Sequence, residues 1–375
     1  VTINNICYTI SDKFQSAKIK IVKLKHYIKV FTFQSHIKFE EKDYEITEIC
    51  DKAFANSTIE SLSFSNDSKL NKIGSFSFEN SKIQSLSISN NVKFCDFCFK
   101  NCKNLSIISL NNVSFIEISN NCFAGCDSLS QIIIKSKSPQ LRISKGNFLG
   151  IKNLDTIEIE AQNLIIEDNC FKELASSSKY SQKQKSISMK ISSNVDIGNN
   201  CFNELNVLES IIIKAENLSI KNECFNEIKN LKNLNFECKQ IKIGENCFKN
   251  SINNNNQLDE NYNIVRNCNS NKFLIISQSE IEIGNFSFFG QNLVDLVEMA
   301  AKSINIGKEC FNKCQFLTKI KITSSSSIKI FENSFLDLLI LEEIILNSNQ
   351  IMIKDNCFHN SLLIQKEKYY NMKNN

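Results

Sequence analysis

A phenylalanine recurs along almost the whole chain at an interval of about 23 residues. Taken as an anchor, it occurs 13 times, and the steps between anchors are 24, 21, 24, 25, 23, 31, 23, 23, 40, 23, 24 and 23 residues. Periods of roughly 20–50 residues are typical of solenoids and related arrays. The two long steps indicate two insertions in a regular array. The anchors are Phe54, Phe78, Phe99, Phe123, Phe148, Phe171, Phe202, Phe225, Phe248, Phe288, Phe311, Phe335 and Phe358.

The residues around each anchor are also regular. After most anchors the third residue is apolar or Cys and the sixth is Leu, as in Cys126 and Leu129 after Phe123. Spacings of three place side chains on one face of a short α or 3₁₀ segment. Apolar residues then alternate, as in Ile132 and Ile134, which is typical of a half-buried strand. A second alternating pair precedes the next anchor. The sequence therefore predicts that one coil consists of a strand, a short helical segment and a second strand.

The segment Ile243-Gly244-Glu245-Asn246-Cys247-Phe248 is representative of the repeat around an anchor. From about residue 46 to 360, these coils resemble leucine-rich repeats of the BspA-like type, which read roughly I-G-x-x-A-F-x-x-C-x-x-L-x-x-I-x-I. Here Cys usually replaces the Ala before the Phe, and only some coils keep the Gly. The resemblance and the pattern together predict an α/β leucine-rich-repeat solenoid of about 13 coils, each with two short strands and a short helical segment, closed by terminal caps.

The repeat also predicts the domain organisation. Residues 1–45 lie outside it and alternate charged with apolar side chains, as expected of a β-rich N-terminal cap that covers the open end of the core. The solenoid occupies 46–360, with polar insertions near 175–185 and 252–271. Residues 361–375 form a C-terminal cap or tail. No coil buries enough apolar surface to fold alone, because each fully buried side chain contributes only about 1.5–3 kcal/mol.

The chain contains sixteen cysteines, a number that could indicate disulfides or a metal site. Eight of them directly precede an anchor and three more occupy the third position after one, so the repeat places eleven in the core. Buried free cysteines behave as small hydrophobic residues. We therefore expect buried thiols, with disulfides or a metal site as the alternative.

The charge of the chain and the motifs it lacks argue against several classes of function. The net charge is +4, from 44 basic and 40 acidic residues, and there is no extended basic patch of the kind that binds nucleic acid. No apolar run is long enough for a membrane-spanning helix. The three histidines, His26, His36 and His359, have no partner pattern, and catalytic signatures such as G-x-S-x-G are missing. We therefore expect no enzymatic activity, no cofactor, no metal, no nucleic-acid partner and no membrane-spanning segment.

Solenoids bind partners along an extended face. In leucine-rich repeats that face carries the outward residues of the strand after the anchor, and the resemblance implies the same here. The candidate partner-binding residues are Ser109, Ile133, Glu158, Ser188, Ile212, Asn235, Ile275, Glu298, Lys321 and Ile345. The outward residues of the other strand are mostly charged, as in Glu48 and Lys72, which is typical of a solvated face.

Two functions remain open at this stage. The resemblance implies a protein-recognition or adhesion solenoid of the BspA-like surface-antigen type, located at the cell surface or secreted, with a protein or another cell-surface ligand as partner. The alternative is a cytoplasmic scaffold for protein–protein interaction, which the many cysteines favour.

Overall fold

The computed structural model describes residues 1–22, 29–65, 67–151, 154–172, 185–205, 208–228, 230–250 and 271–361. The chain divides into two compact units. Unit 1 comprises Val1–Lys183 and Ile187–Phe202, and unit 2 comprises Gln184–Ser186 and Asn203–Asn375. The expected insertions near 175–185 and 252–271 and the expected C-terminal segment 361–375 lie almost entirely outside the described residues.

Strands account for all regular secondary structure in the described part of the chain. Those of residues 1–197 are β1 (Thr2–Ile3), β2 (Ile6–Ser11), β3 (Ser16–Val22), β4 (Val30–Phe33), β5 (His36–Phe39), β6 (Lys42–Ile49), β7 (Ser61–Phe64), β8 (Lys72–Ile73), β9 (Ser85–Ile88), β10 (Val92–Phe94), β11 (Ile107–Val113), β12 (Ile116–Ile118), β13 (Gln131–Ser136), β14 (Leu141–Ile143), β15 (Thr156–Ala161), β16 (Leu164–Ile166), β17 (Lys185–Ile191) and β18 (Asn194–Ile197). Those that follow are β19 (Leu208–Lys214), β20 (Asn217–Ile220), β21 (Asn233–Ile243), β22 (Lys272–Ile283), β23 (Leu296–Ile306), β24 (Lys319–Ile330), β25 (Glu343–Asn347) and β26 (Gln350–Ile353).

Each unit is a stack of coils joined by parallel ladders. In unit 1 the first strands of successive coils pair, as β9 with β11 and β11 with β13. The second strands pair in the same way, as β10 with β12 and β12 with β14. In unit 2, β21, β22, β23 and β24 each run through both ladders with a bulge between them. Among the described residues, antiparallel pairing occurs only near the start of unit 1, where β2 joins β1 and β3, and β5 joins β6.

The anchor rings form the core, as the sequence predicts. All 13 are at most 4% exposed. In unit 1 the rings from Phe54 to Phe202 stack in chain order with centroids 4.6–5.4 Å apart. In unit 2 the rings from Phe225 to Phe358 also stack in chain order, with centroids 4.8–5.3 Å apart. Parallel planes at this separation correspond to the favourable offset stack. Each ring therefore gains its packing from the coils before and after it.

The expectation of an α/β solenoid with helical segments is wrong. The protein is a β-solenoid of about 11 turns, fewer than the 13 coils counted from the anchors, and no helix occurs in its described part. The segment around each anchor is a ribbon of turns instead. The N–H groups of Lys52, Phe54 and Asn56 donate to carbonyl oxygens of the next coil at 3.0, 2.7 and 2.8 Å. These alternate N–H groups are therefore unavailable for helical i to i−4 bonds.

Positive φ angles explain how the ribbon remains compact without a helix. Lys52 and Asn56 have φ angles of 60° and 58°. In several later coils the anchor itself has a positive φ, as in Phe148 at 59°. Alternation of left- and right-handed residues directs alternate N–H groups toward neighbouring coils. The side chains three and six positions after the anchor still face inward, so the spacing that suggested a helix is satisfied by another backbone path.

Candidate partner-binding face

In unit 1 the predicted row occupies the outward positions of the first strands. Ser109 pairs with Ile133, and Ile133 pairs with Glu158. Ser109 and Ile133 are partly exposed, while Glu158 and Ser188 are exposed. The structure thus places Ser109, Ile133 and Glu158 side by side on neighbouring strands, and Ser188 faces outward on β17.

In unit 2 the row has one different member. Ile212 pairs with Asn235, which pairs with Leu274, and the row continues through Glu298 and Lys321 to Ile345. Ile275 is fully buried and pairs with Phe236 and Met299 inside the core. The prediction that Ile275 faces outward is therefore wrong, and Leu274 takes that position. The sequence does not show which residues face outward here, because Phe273-Leu274-Ile275-Ile276 is an unbroken apolar run without a period of two.

The corrected register reveals a small apolar patch on unit 2, formed by Leu274 and Ile276 of β22 and by Leu296 and Ala300 of β23. Ile276 lies beside Ala300, and its side chain is 37% exposed. Leu274, Leu296 and Ala300 are partly exposed. We call these four residues the apolar patch. Sequence reasoning missed it because it depends on the register across the insertion.

Charged side chains lie beside the apolar patch and also within it, because Glu298 stands between Leu296 and Ala300 on β23, opposite Leu274. Glu298 accepts hydrogen bonds from Lys272 and from Lys321, the latter at 3.0 Å, and these bonds hold the pKa of its carboxyl below the ordinary value. Glu237 lies next to Ile276 in the ladder and binds Lys214 at 2.7 Å, which lowers its pKa in the same way. The surface is therefore a mixture of exposed apolar side chains and ion-paired charges, which resembles the margin of a protein interface more than its core.

The outward row of the second strands is occupied by ion pairs between coils. In unit 1, Glu48 lies 2.6 Å from Lys18 and 2.7 Å from Lys72, and Lys93 lies 2.7 Å from Glu117. Burial raises the pKa of Glu48, but the two lysines outweigh burial and keep it below its ordinary value. These charges are already paired along the row. The solvated character expected of this face is consistent with that arrangement.

Aromatic side chains also lie on the surface of the turn ribbon. In unit 1, Phe76 stacks on Phe97 at 4.9 Å, and Lys100 lies 5.3 Å from the Phe97 ring centroid. In unit 2, Phe289 lies between Lys249 and Lys313, each 5.7 Å from its centroid. Lysine stems shield these rings from water and gain cation–π attraction. They are therefore covered rather than presented as open apolar surface.

Ser35, His36 and Glu45 form a contact chain that resembles a hydrolase triad. His36 Nδ1 lies 2.8 Å from Ser35 Oγ, and Nε2 lies 3.8 Å from Glu45 Oε1. However, Ser35 Oγ donates its proton to Asp67 at 2.7 Å, and His36 is exposed to solvent. A nucleophilic serine must instead donate to the histidine. The arrangement therefore does not activate Ser35.

The cysteines are buried free thiols, as expected from the repeat. Fifteen are described and all are free, and only Cys7, Cys50 and Cys95 are partly exposed. Burial raises the pKa of Cys102 to about 11 and that of Cys314 to about 12. At neutral pH these thiols are protonated and can donate hydrogen bonds. The described residues contain no group of three or more potential metal ligands.

The fold defines a repeat protein of the solenoid class. A family model described as a BspA type leucine rich repeat region matches residues 47–179, 142–258 and 261–373. The chain therefore belongs to the BspA-type leucine-rich-repeat family. No curated protein matches the chain. Because the described residues form no helix, they include no candidate for a membrane-spanning helix.

Three solved structures are similar at low identity. A leucine-rich repeat protein from Bacteroides ovatus ATCC 8483 is 15% identical, covers 96% of this chain and 80% of its own, and has a TM-score of 0.43. The pneumococcal vaccine antigen PcpA is 14% identical, with coverages of 94% and 98% and a TM-score of 0.33. A leucine-rich cell surface protein from Faecalibacterium prausnitzii A2-165 is 13% identical, with coverages of 86% and 94% and a TM-score of 0.33. The family assignment rests on the repeat model alone.

Proposed function

We propose that this chain is a non-enzymatic recognition protein that binds a protein partner through the first-strand face of unit 2. The observation that carries the proposal is the apolar patch of Leu274, Ile276, Leu296 and Ala300, together with the ion-paired Glu298 that lies among them. Interfaces of this kind concentrate binding energy in a few central side chains. Leu274 and Ile276 occupy that centre here. Glu298, Lys321 and Ile345, three of the residues predicted from the sequence, extend the same row.

Family membership supports a surface role. We propose that the protein acts in adhesion, at the cell surface or after secretion, and that its ligand is a protein displayed on another surface. The buried thiols favour the cytoplasmic scaffold only weakly. Their protonated state comes from burial, which is the same in a reducing or an oxidising compartment.

The test is selection of binding peptides followed by mapping of their site. Peptides from a phage-displayed library are selected on the immobilised full chain, and their affinities are measured for the wild type and for Ile276→Asp. We expect the substitution to weaken binding at least tenfold, because it places a charge in the apolar centre. Met352→Asp is the matched control, since Met352 is 47% exposed on the other outward row of unit 2. Equal loss with both variants, or none with Ile276→Asp, would contradict the proposed site.

Adhesion is tested separately with beads that carry the protein. Beads coated with the wild type should bind monolayers of cultured cells more strongly than beads coated with Ile276→Asp, while Met352→Asp beads should behave like the wild type. Peptide binding without any cell binding would support the recognition role and reject adhesion.

A further inference from the structure

The N-terminal strands of unit 1 border a cavity of about 320 Å³. Residues on or next to β1, β2, β3, β4, β5 and β6 line it. Protein interiors contain few voids larger than a water molecule. Cavities of about 300–1,000 Å³ are instead typical of sites that bind small molecules. The cavity is therefore a candidate site for a ligand at the small end of that range.

Most of the cavity wall is apolar and belongs to the core. Its buried aliphatic and phenylalanine side chains, each at most 8% exposed, are Ile6, Ile19, Phe33, Ile37 and Ile46. Phe33 also stacks on Phe64 at 4.9 Å and meets the anchor Phe54 edge-on at 5.5 Å. The wall is thus fixed by the aromatic core of unit 1, and the cavity offers a preformed apolar surface to an occupant.

The hydroxyl of Tyr8 is an unused hydrogen-bonding group at this cavity. Tyr8 lines the cavity and is only 8% exposed, and burial raises the pKa of its phenol, which stays protonated at neutral pH. The hydroxyl has no hydrogen-bond partner among the described residues. By contrast, Tyr44 is also buried, and its hydroxyl donates to Asp12 Oδ1 at 2.6 Å. Because buried polar side chains are ordinarily paired, Tyr8 has a donor available for an occupant of the cavity.

Positive charge accompanies this donor. The described residues that line the cavity include Lys38 and no carboxylate. Lys38 is exposed and forms no ion pair with any described residue. His36 lines the cavity too, and Glu45, 3.8 Å from its Nε2, does not. The exposed neutral polar residues of the lining are Asn4, Thr32 and Gln34. The cavity is thus open to solvent on its polar side, where Lys38 offers an unpaired cation.

We infer that the cavity binds a small carboxylic acid with an apolar chain. The chain lies against the wall that includes Ile19 and Phe33, and the carboxylate accepts hydrogen bonds from Tyr8 and Lys38, since charge-assisted hydrogen bonds are the strong ones. A neutral alkyl compound lacks the charge that Lys38 attracts, and an alkyl cation is repelled by it. The site lies in unit 1 and does not depend on the protein-binding role proposed for unit 2.

The test compares octanoate, octanol and octylamine, which share one alkyl chain and differ in the head group. Their binding to the full chain is measured by isothermal titration calorimetry. We expect one octanoate to bind per chain, about tenfold more tightly than octanol or octylamine, because a hydrogen bond to a charged group contributes about 1.5–3 kcal/mol.

Two substitutions test the polar contacts. Tyr8→Phe keeps the ring and removes the hydroxyl, so it should weaken octanoate binding about tenfold and leave octanol binding unchanged. Lys38→Gln should reduce the preference for octanoate over octanol. The matched controls are Tyr44→Phe, which removes the other buried phenol hydroxyl of these strands, and Lys20→Gln, which removes an exposed lysine of β3. Neither control residue lines the cavity, so both variants should bind octanoate like the wild type.

A third substitution tests the location. Ile3 is a partly exposed residue of the lining, and Ile3→Trp should fill the cavity and abolish octanoate binding. Ile276→Asp should not affect it, because Ile276 lies in the apolar patch of unit 2. Circular dichroism of each variant establishes that it is folded. Absence of octanoate binding, equal affinity for octanoate and octanol, undiminished binding by Tyr8→Phe or by Ile3→Trp, or equal losses with folded Tyr8→Phe and Tyr44→Phe would each overturn the inference.

Discussion

The Sγ atom of Cys247 lies 2.9 Å from the carbonyl oxygen of Lys221 in the preceding coil, so the thiol donates a hydrogen bond between coils. The residue before the anchor has this role in other coils too. Ser287 Oγ donates to the Gly244 carbonyl at 2.7 Å, and Asn147 Nδ2 donates to the Ser119 carbonyl at 2.7 Å. Small side chains that can donate, namely Cys, Ser and Asn, therefore recur at this position, although Ala53 has no donor and the Ser77 hydroxyl has no partner.

Replacement of Cys247 tests this role. Cys247→Ala leaves the Lys221 carbonyl without its donor, and an unsatisfied buried group costs about 1–3 kcal/mol. Cys247→Ser restores a donor, as Ser287 already does in the next coil. We expect urea denaturation to show a smaller loss of unfolding free energy for Cys247→Ser than for Cys247→Ala. The opposite order would mean that the sulfur acts mainly by filling apolar space.

Removal of one anchor ring should destabilise unit 2 strongly. Phe248 is fully buried and stacks at 4.8 Å on Phe225 and at 5.1 Å on Phe288. Phe248→Ala should lower the free energy of unfolding by about 3–5 kcal/mol, as buried Phe truncations do. Phe331→Ala is the control, because Phe331 is 36% exposed. Its effect should remain near 1 kcal/mol or less, and an unchanged denaturation midpoint for Phe248→Ala would reject the ring ladder as the core.

Alkaline pH should weaken the fold through its buried thiols. The pKa of Cys102 rises from 9.0 to about 11 in the folded protein because burial disfavours the thiolate. Below pH 9.0 both states hold the proton and stability is unaffected. Between those two values the unfolded chain releases it first, so stability falls by on the order of 2–3 kcal/mol.

The measurement is urea denaturation of the wild type and Cys102→Ala at neutral pH and through the alkaline range. The variant should be less stable at neutral pH but should lose less stability as the pH rises. Parallel curves for the two proteins would show that Cys102 does not contribute to the alkaline loss.

The sequence predicts the interior of this protein better than its backbone. The spacing of Phe123, Cys126 and Leu129 identifies side chains that face inward, because burial depends on periodicity. The path between them depends on hydrogen bonds to other coils, which leave no local signal, and on positive φ angles. Asn residues such as Asn56 and Asn246 are a recognisable signal of positive φ, whereas Phe148 is not. Of the predicted outward row, all but Ile275 face outward. Periodicity predicts which residues face outward. It does not predict whether those residues bind a partner, because binding depends on the chemistry of the side chains.

The interlocked backbone described above has a mechanical consequence. Within either unit, the hydrogen bonds between coils that the described residues form join immediate neighbours, so a pull on one end loads the outermost coil first. That coil can detach while the remainder stays intact, and its neighbour then becomes the loaded edge. A tether built in this way lengthens in small steps and absorbs force gradually instead of rupturing at once.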